Sequence, residues 1–508
     1  MGQRPLFAAG SALILAALAV APLAAQGVQY RERWSYLHLE QRRAELAQAL
    51  DGRDAATRQR VAELLAEPDQ GVPYRPVARA LAHLRGRACD DAFLLRSTLG
   101  VFLLPEVVDP VGDNAACRSA HVSLHLPFTV PIPADLEFVL EVRDAAGAVV
   151  HRQEEIEDVP LGELRMAQHS LEIPCAELPD GRYEMQLQLR IDGKLPGPGE
   201  PVVRWAFAVQ RGYQAHATAA MQRAREAVEG LRGAERGWLA GLSRQVARAF
   251  AGEPFEGGSQ ALAELARLDA ALANVAAGRP VLTGLVGDVP TSLPAADGAA
   301  LGGLGAVLRL PAEPPPPDRP IVVVIAGAPS YDQTGRRPGS PVSRGPVWSS
   351  RELPALGRAA GWPVAFVESP GGSNQYLADL RAGLAALREL WPGQARPVVL
   401  VAEQQAATVL ALQLPSLPGP IRGLACIGGG AMPGPTLDRL TALSLRYVAV
   451  VGSPSTESVQ RTLAYAQARV GDGQAVDAEW LVAASQPFGV TLPLLAAPLQ
   501  QWLDSLVP

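Results

Sequence analysis

The sequence predicts a multidomain chain: a helical N-terminal region, a β-sandwich, a helical hairpin and a C-terminal α/β domain with a mostly parallel sheet. Three observations lead there. Apolar residues recur at helical spacing, then at every second position, then at helical spacing again along the first 276 residues. Beyond residue 320, short runs of apolar residues alternate with helical segments. The chain has 508 residues, 48% of them apolar, which leaves room for about three domains of ~100–200 residues.

Residues 1–25 read as a secretory signal. Arg4 supplies the charge, Leu6 to Ala21 is apolar apart from Gly10 and Ser11, and Pro22-Leu23-Ala24-Ala25 offers small residues for cleavage after Ala25. An uncleaved anchor is the alternative, but the apolar stretch falls short of the ~20 residues a spanning helix needs. No later segment reads as transmembrane, so the expected location is secreted or periplasmic. A net charge of −6 over this length offers no electrostatic footprint for nucleic acid.

Residues 26–98 read as helical, in segments Tyr30 to Leu50, Ala55 to Glu67 and Arg75 to Arg87, with Asp51-Gly52 as a stop. Over 99–211 the period becomes two. Val122 to Leu126, Leu136 to Val142, Tyr183 to Ile191 and Val202 to Val209 alternate, and turns such as Asp144-Ala145-Ala146-Gly147 and Pro179-Asp180-Gly181 separate them. Such a sandwich resembles an immunoglobulin-like module in architecture, although no Cys…Trp…Cys signature is present. His121 and His125 would meet on a helix, but on a strand they stand ~13 Å apart, too far for one zinc ion. No metal or cofactor is expected. Export permits disulfides, and Cys89, Cys117 and Cys175 lie in loop-like contexts, with Cys89–Cys117 or Cys117–Cys175 the expected pairs. Cys426, in the apolar run Leu424-Ala425-Cys426-Ile427, reads as a small buried residue.

Residues 212–304 are expected to form a helical hairpin over Tyr213 to Ala276, broken near Gly252 to Gly258, and then an irregular, glycine-rich linker. In 305–508 the buried-strand candidates are Ile321 to Ile325, Pro397 to Val401 and Arg446 to Val451. Helix candidates are Arg351–Ala360, Tyr376–Leu390, Ala406–Leu412 and Thr456–Arg469.

This order of elements resembles the α/β-hydrolase superfamily, close to bacterial secreted esterases of the polyhydroxybutyrate-depolymerase and dienelactone-hydrolase kind. The resemblance covers about two-fifths of the chain and implies a Gly-x-Ser-x-Gly nucleophile elbow after the central strand. Here that strand runs into Ala402-Glu403-Gln404-Gln405-Ala406, so Gln404 holds the nucleophile position and alanines replace both glycines. The oxyanion loop corresponds to Ala326-Gly327-Ala328-Pro329-Ser330, without its histidine. The acid position falls at Ser455 in Gly452-Ser453-Pro454-Ser455, with Glu457 the nearby carboxylate. The histidine position falls at Gln486.

A carboxamide is not a nucleophile, and the base is missing as well: the last histidine is His216 and the only lysine is Lys194. The glycine run Gly428 to Gly434 misses dinucleotide-binding spacing by one residue and reads as a turn. The expectation is therefore a non-catalytic hydrolase fold whose cleft, with Ala328, Ser330, Glu403, Gln405 and Glu457 as its possible lining, binds a protein, a peptide or an ester-like ligand. Two routes to an active carboxylesterase or peptidase stay open. His216 could reach the cleft from its own element, or a serine of Ser369-Pro370-Gly371-Gly372-Ser373 could act with a carboxylate. A purely structural domain with no open cleft is the third reading.

Overall fold

The computed structural model describes residues 45–66, 74–104, 106–112, 120–125, 136–154, 170–250, 260–297, 303–325, 361–368, 374–392, 396–403, 419–427, 446–451, 478–482 and 499–506, together with scattered single positions. Residues 1–25 lie outside that set. Among the described residues no helix is long and apolar enough to cross a membrane.

The N-terminal helices match the periodicity. Helical residues 45–50, α1 (Ala55–Ala66) and α2 (Tyr74–Leu84) close a small core of Leu46, Leu50, Val61, Leu65, Val77 and Leu81. Arg42 ties this unit to the next: its Nε donates to the Ser97 carbonyl at 3.0 Å, and burial lowers its pKa to about 10. Helix α3 (Asp91–Thr98) starts where Asp90 accepts the Phe93 N–H at 2.7 Å, and it sends Leu94 and Leu95 into the following core.

Two sheets follow. Strands β1 (Gly100–Leu104), β3 (Ala120–His125) and β6 (Ser170–Ile173) form an antiparallel sheet in the order β1-β3-β6. Strands β2 (Val107–Val108), β4 (Leu136–Asp144), β5 (Val149–Gln153), β7 (Gly181–Ile191) and β8 (Val203–Val209) form a five-stranded sheet in the order β2-β8-β7-β4-β5. The alternation read from Tyr183 to Ile191 is the burial seen: Tyr183, Met185, Leu187, Leu189 and Ile191 face the core with Phe138, Leu140 and Phe207, and Ile173 of β6 joins them. The Asp144 carboxylate closes the β4–β5 turn by accepting the N–H groups of Ala146 and Ala148, each at 2.9 Å.

Where a hairpin was expected there are three helices: α4 (Tyr213–Gly230), α5 (Gly233–Phe250) and α6 (Gln260–Ala276). The helical pattern of Tyr213 to Phe250 hides a stop at Leu231-Arg232-Gly233, where Gly233 takes a left-handed φ of 56°. The linker expectation is corrected too. Residues 287–292 form strand β9 (Gly287–Ser292), the edge of an eight-stranded sheet. Pro290 breaks the strand signal in the sequence but is tolerated on an edge.

The remaining strands are β10 (Gly305–Leu310), β11 (Ile321–Ile325), β12 (Val364–Val367), β13 (Val398–Glu403), β14 (Ile421–Ile427), β15 (Arg446–Val451) and β16 (Ala478–Val482). Their order is β9-β10-β12-β11-β13-β14-β15-β16, and β10 alone runs against the others. Alternate residues enter opposite cores. Ile321, Val323, Ile325, Leu400 and Val367 face α4 to α6 and α7 (Asn374–Leu390). Val322, Val324, Val399 and Phe366 face Leu353, Leu356, Trp362 and the C-terminal residues Leu499, Trp502 and Leu503. The sheet is thus covered on both sides, as its apolar strands require. Of the expected helix Arg351–Ala360, the described Leu356 and Gly357 form a turn, with Gly357 at a φ of 75°.

One buried cation staples the β9 edge. Arg309 on β10 donates to both oxygens of Asp288 on β9, at 2.7 and 2.8 Å. Its remaining N–H groups reach the carbonyls of Ser350, Leu353 and Leu356, and its guanidinium lies over the Phe366 ring at 4.9 Å.

Candidate functional site: the carboxyl edge of the sheet

Parallel strands leave their carboxyl ends along one edge, and in open α/β sheets ligands bind outside that edge. The ladders locate it. Val367 stands beside Ile325, Ile325 beside Ala402, Glu403 beside Ile427, Ile427 beside Val450, and Val451 beside Val482. Strands β13, β15 and β16 therefore end on the same side of the sheet, and in the sequence the positions expected for the triad come after these strands. Glu403 closes β13 with its backbone paired to Ile427, whereas its side chain is not among those described. Ala328, Ser330, Gln404, Gln405, Ser455, Glu457 and Gln486 lie outside the described residues, as does Cys117, through which both expected disulfides run. Cys89 is partly buried, Cys175 is buried, and the two are not joined to each other. Burial pushes the Cys89 thiol above its usual pKa.

The described part of the edge holds a cluster whose carboxylates, Glu368 and Asp379, the sequence offers only as loop or helix-surface residues. Glu368 follows β12 directly, and its Oε2 accepts the Gly305 N–H at 2.9 Å while its own N–H donates to the Gly305 carbonyl at 2.9 Å. A Cβ at Gly305 would stand 2.9 Å from that carboxylate oxygen, so the glycine lets the acid close in. The buried Tyr376 of α7 donates its hydroxyl to the Glu368 carbonyl at 3.3 Å. Burial, and after it the Glu368 charge, hold this phenol well above the usual tyrosine range, so it remains a neutral donor. Further along α7, the buried Asp379 accepts the Ala296 N–H at 2.8 Å and fixes the segment after β9. The signal for Glu368 was available in the sequence: a carboxylate immediately after the apolar run Val364 to Val367.

The histidine nearest in sequence to this domain is engaged elsewhere. His216 on α4 places Nε2 2.8 Å from Asp269 Oδ2 on α6, and Arg223 donates to the other oxygen of Asp269 at 3.0 Å. His121 and His125 lie on one strand, as the alternation implied. Among the described residues no group of three His, Cys, Asp or Glu side chains is placed to hold a metal ion.

No protein-family model matches this chain, and no curated protein does. Solved structures similar to it include the poly(3-hydroxybutyrate) depolymerase LpqC from Bordetella parapertussis, at 15% identity over 44% of this chain and 92% of its own, with a TM-score of 0.33. The S-formylglutathione hydrolase FrmB from Staphylococcus aureus aligns at 8% identity over 44% of this chain and 98% of its own, with a TM-score of 0.32. A dienelactone hydrolase from Anabaena variabilis aligns at 12% identity over 44% of this chain and 98% of its own, with a TM-score of 0.29. The fold assignment rests on the sheet itself. Eight strands in this order, with only the second reversed, make an α/β-hydrolase-like domain.

Proposed function

We propose that this α/β-hydrolase-like domain is a binding module that has lost serine-hydrolase catalysis, carried by a chain exported through its first 25 residues. The observation that carries the reading is the distribution of bases. No histidine follows His216 and no lysine follows Lys194, so a domain of this fold has neither base to activate a nucleophile in its own chain segment. His216, the one histidine close in sequence, is held by Asp269 on the helical layer. Gln404 at the position implied for the nucleophile supports the same reading, as a carboxamide can donate and accept hydrogen bonds without attacking a carbonyl.

The edge keeps the geometry for recognition: a carboxylate fixed by a backbone N–H at Glu368 and a neutral buried phenol behind it. An ester-like ligand, a peptide or a protein loop suits such an edge, and nucleic acid does not fit the acidic balance of the chain. The two-sheet unit is read as immunoglobulin-like. In support, the Tyr183 hydroxyl donates to the Pro179 carbonyl four residues upstream at 2.7 Å, the arrangement of a tyrosine corner at the start of a core strand.

The test is hydrolysis of short-chain chromogenic esters by the purified chain beside a Gln404→Ala variant. The expected result is turnover at the buffer rate in both. Turnover well above buffer in the parent would overturn the reading, and its loss in the variant would place Gln404 in the reaction.

A further inference from the structure

Strand β5 is the outer strand of the five-stranded sheet. It pairs with β4 on one side, and among the described residues no strand pairs with its other side. Such an edge presents a row of backbone N–H and C=O groups, a template for a further strand. Its side chains are open as well: Val149 and Val150 are 44% and 42% exposed, and Arg152 and Glu154 are exposed beside them. The register with β4 shifts between Val142 and Arg143, which leaves Val150 as the extra residue of a β-bulge. The bulge bends the strand at that end, so the stretch able to pair begins at His151.

Charge decides what can pair there. On the outer face of the sheet Arg152 meets Glu141 of β4 at 3.3 Å and also pairs with Glu154, which lies 3.4 Å from Arg190 of β7; Arg190 in turn meets Glu137 at 2.6 Å. Charged side chains commonly guard an edge against pairing. Here the two outward charges have opposite signs and stand two residues apart, on one face. Facing residues of an antiparallel pair share a face, so a two-fold axis joining identical strands has to pass through a residue. An axis at Arg152 or at Glu154 would set like charges against each other, and one at His151 would run the pairing into the bulge. An axis at Gln153 sets Arg152 of each copy opposite Glu154 of the other, and the central carboxamide faces its own equivalent, with which it can both donate and accept. We propose that β5 is a self-association edge, joining two copies of this chain antiparallel about Gln153 so that their five-stranded sheets become continuous. Two short strands bury little area, so the dimer is weak and concentration-dependent. Nothing in it rests on the reading of the carboxyl edge.

Sedimentation velocity of the full chain, from micromolar to submillimolar concentration, tests it. The parent is expected to shift from monomer to dimer as concentration rises. Arg152→Glu and Glu154→Arg each turn both facing pairs repulsive, and each should weaken dimerisation about ten-fold. Both side chains are exposed, so neither change disturbs the core. Mixed in equal amounts, the two variants regain opposite charges at both facing positions, and the mixture should dimerise at least as well as the parent. Damage to the fold would not be repaired by mixing. A parent that stays monomeric throughout overturns the proposal. So does a dimer of unchanged strength in both single variants, or a mixture that stays monomeric.

Discussion

Single glycines and single charges decide much of this molecule. Gly241 lies in the interior of α5, where alanine is the better helix former by about 1 kcal/mol. Yet an added methyl would stand 2.2 Å from the Ser292 nitrogen and 2.5 Å from the Thr291 carbonyl carbon, both backbone atoms that cannot swing aside. Overpacking of this kind costs about 3 kcal/mol, so the contact outweighs the propensity. Gly241→Ala is expected to lower stability by about 2 kcal/mol net in urea denaturation, whereas a glycine kept for flexibility alone would give a gain. The same contact explains why Gly241 passed unremarked in the sequence. Its reason is a strand fifty residues away, not its own helix.

At the scale of elements, the buried strands were the most legible. Ile321 to Ile325 and Arg446 to Val451 read as strands because every residue in them is apolar or able to pack, and they pair over the ranges expected. Strand β9 was illegible because an edge strand needs only one partner and one packed face, so Pro290 and Thr291 serve where a central strand would demand Val or Ile. Helix starts were illegible for a related reason. No side chain at Gly212 caps α4; the cap comes from Asp109, almost fully buried, which accepts the Gln214 N–H at 3.0 Å. Glu106 does the same for the Ala261 N–H at the start of α6, at 3.1 Å. Asp109→Ala is therefore expected to cost about 2 kcal/mol, the scale of stranding a buried N–H, with the loss read in the urea midpoint and not in helix content.

At the scale of the whole molecule, the positions proposed for the triad, Gln404, Ser455 and Gln486, are legible only as departures from a pattern. The carboxyl edge and its Glu368–Tyr376 cluster needed the fold. The boundary expected at residue 305 would cut the sheet between β9 and β10 and strip away α4 to α6, whose Ala217, Trp238, Leu242 and Leu268 share one core with Ile321, Leu380 and Leu400. Residues 305–508 expressed alone are expected to aggregate, while residues 213–508 stay soluble with native-like circular dichroism; comparable soluble yields from both would contradict this.

The shortest strand has the longest reach. In β2, Val107 packs into the core shared by the helices and the eight-stranded sheet, and Val108 packs into the core between the two smaller sheets. With Asp109 and Glu106 on either side holding two helix starts, no slack tether separates the two halves here. A displacement of the five-stranded sheet at β2 would therefore act on the starts of α4 and α6 through Asp109 and Glu106, without an intervening linker.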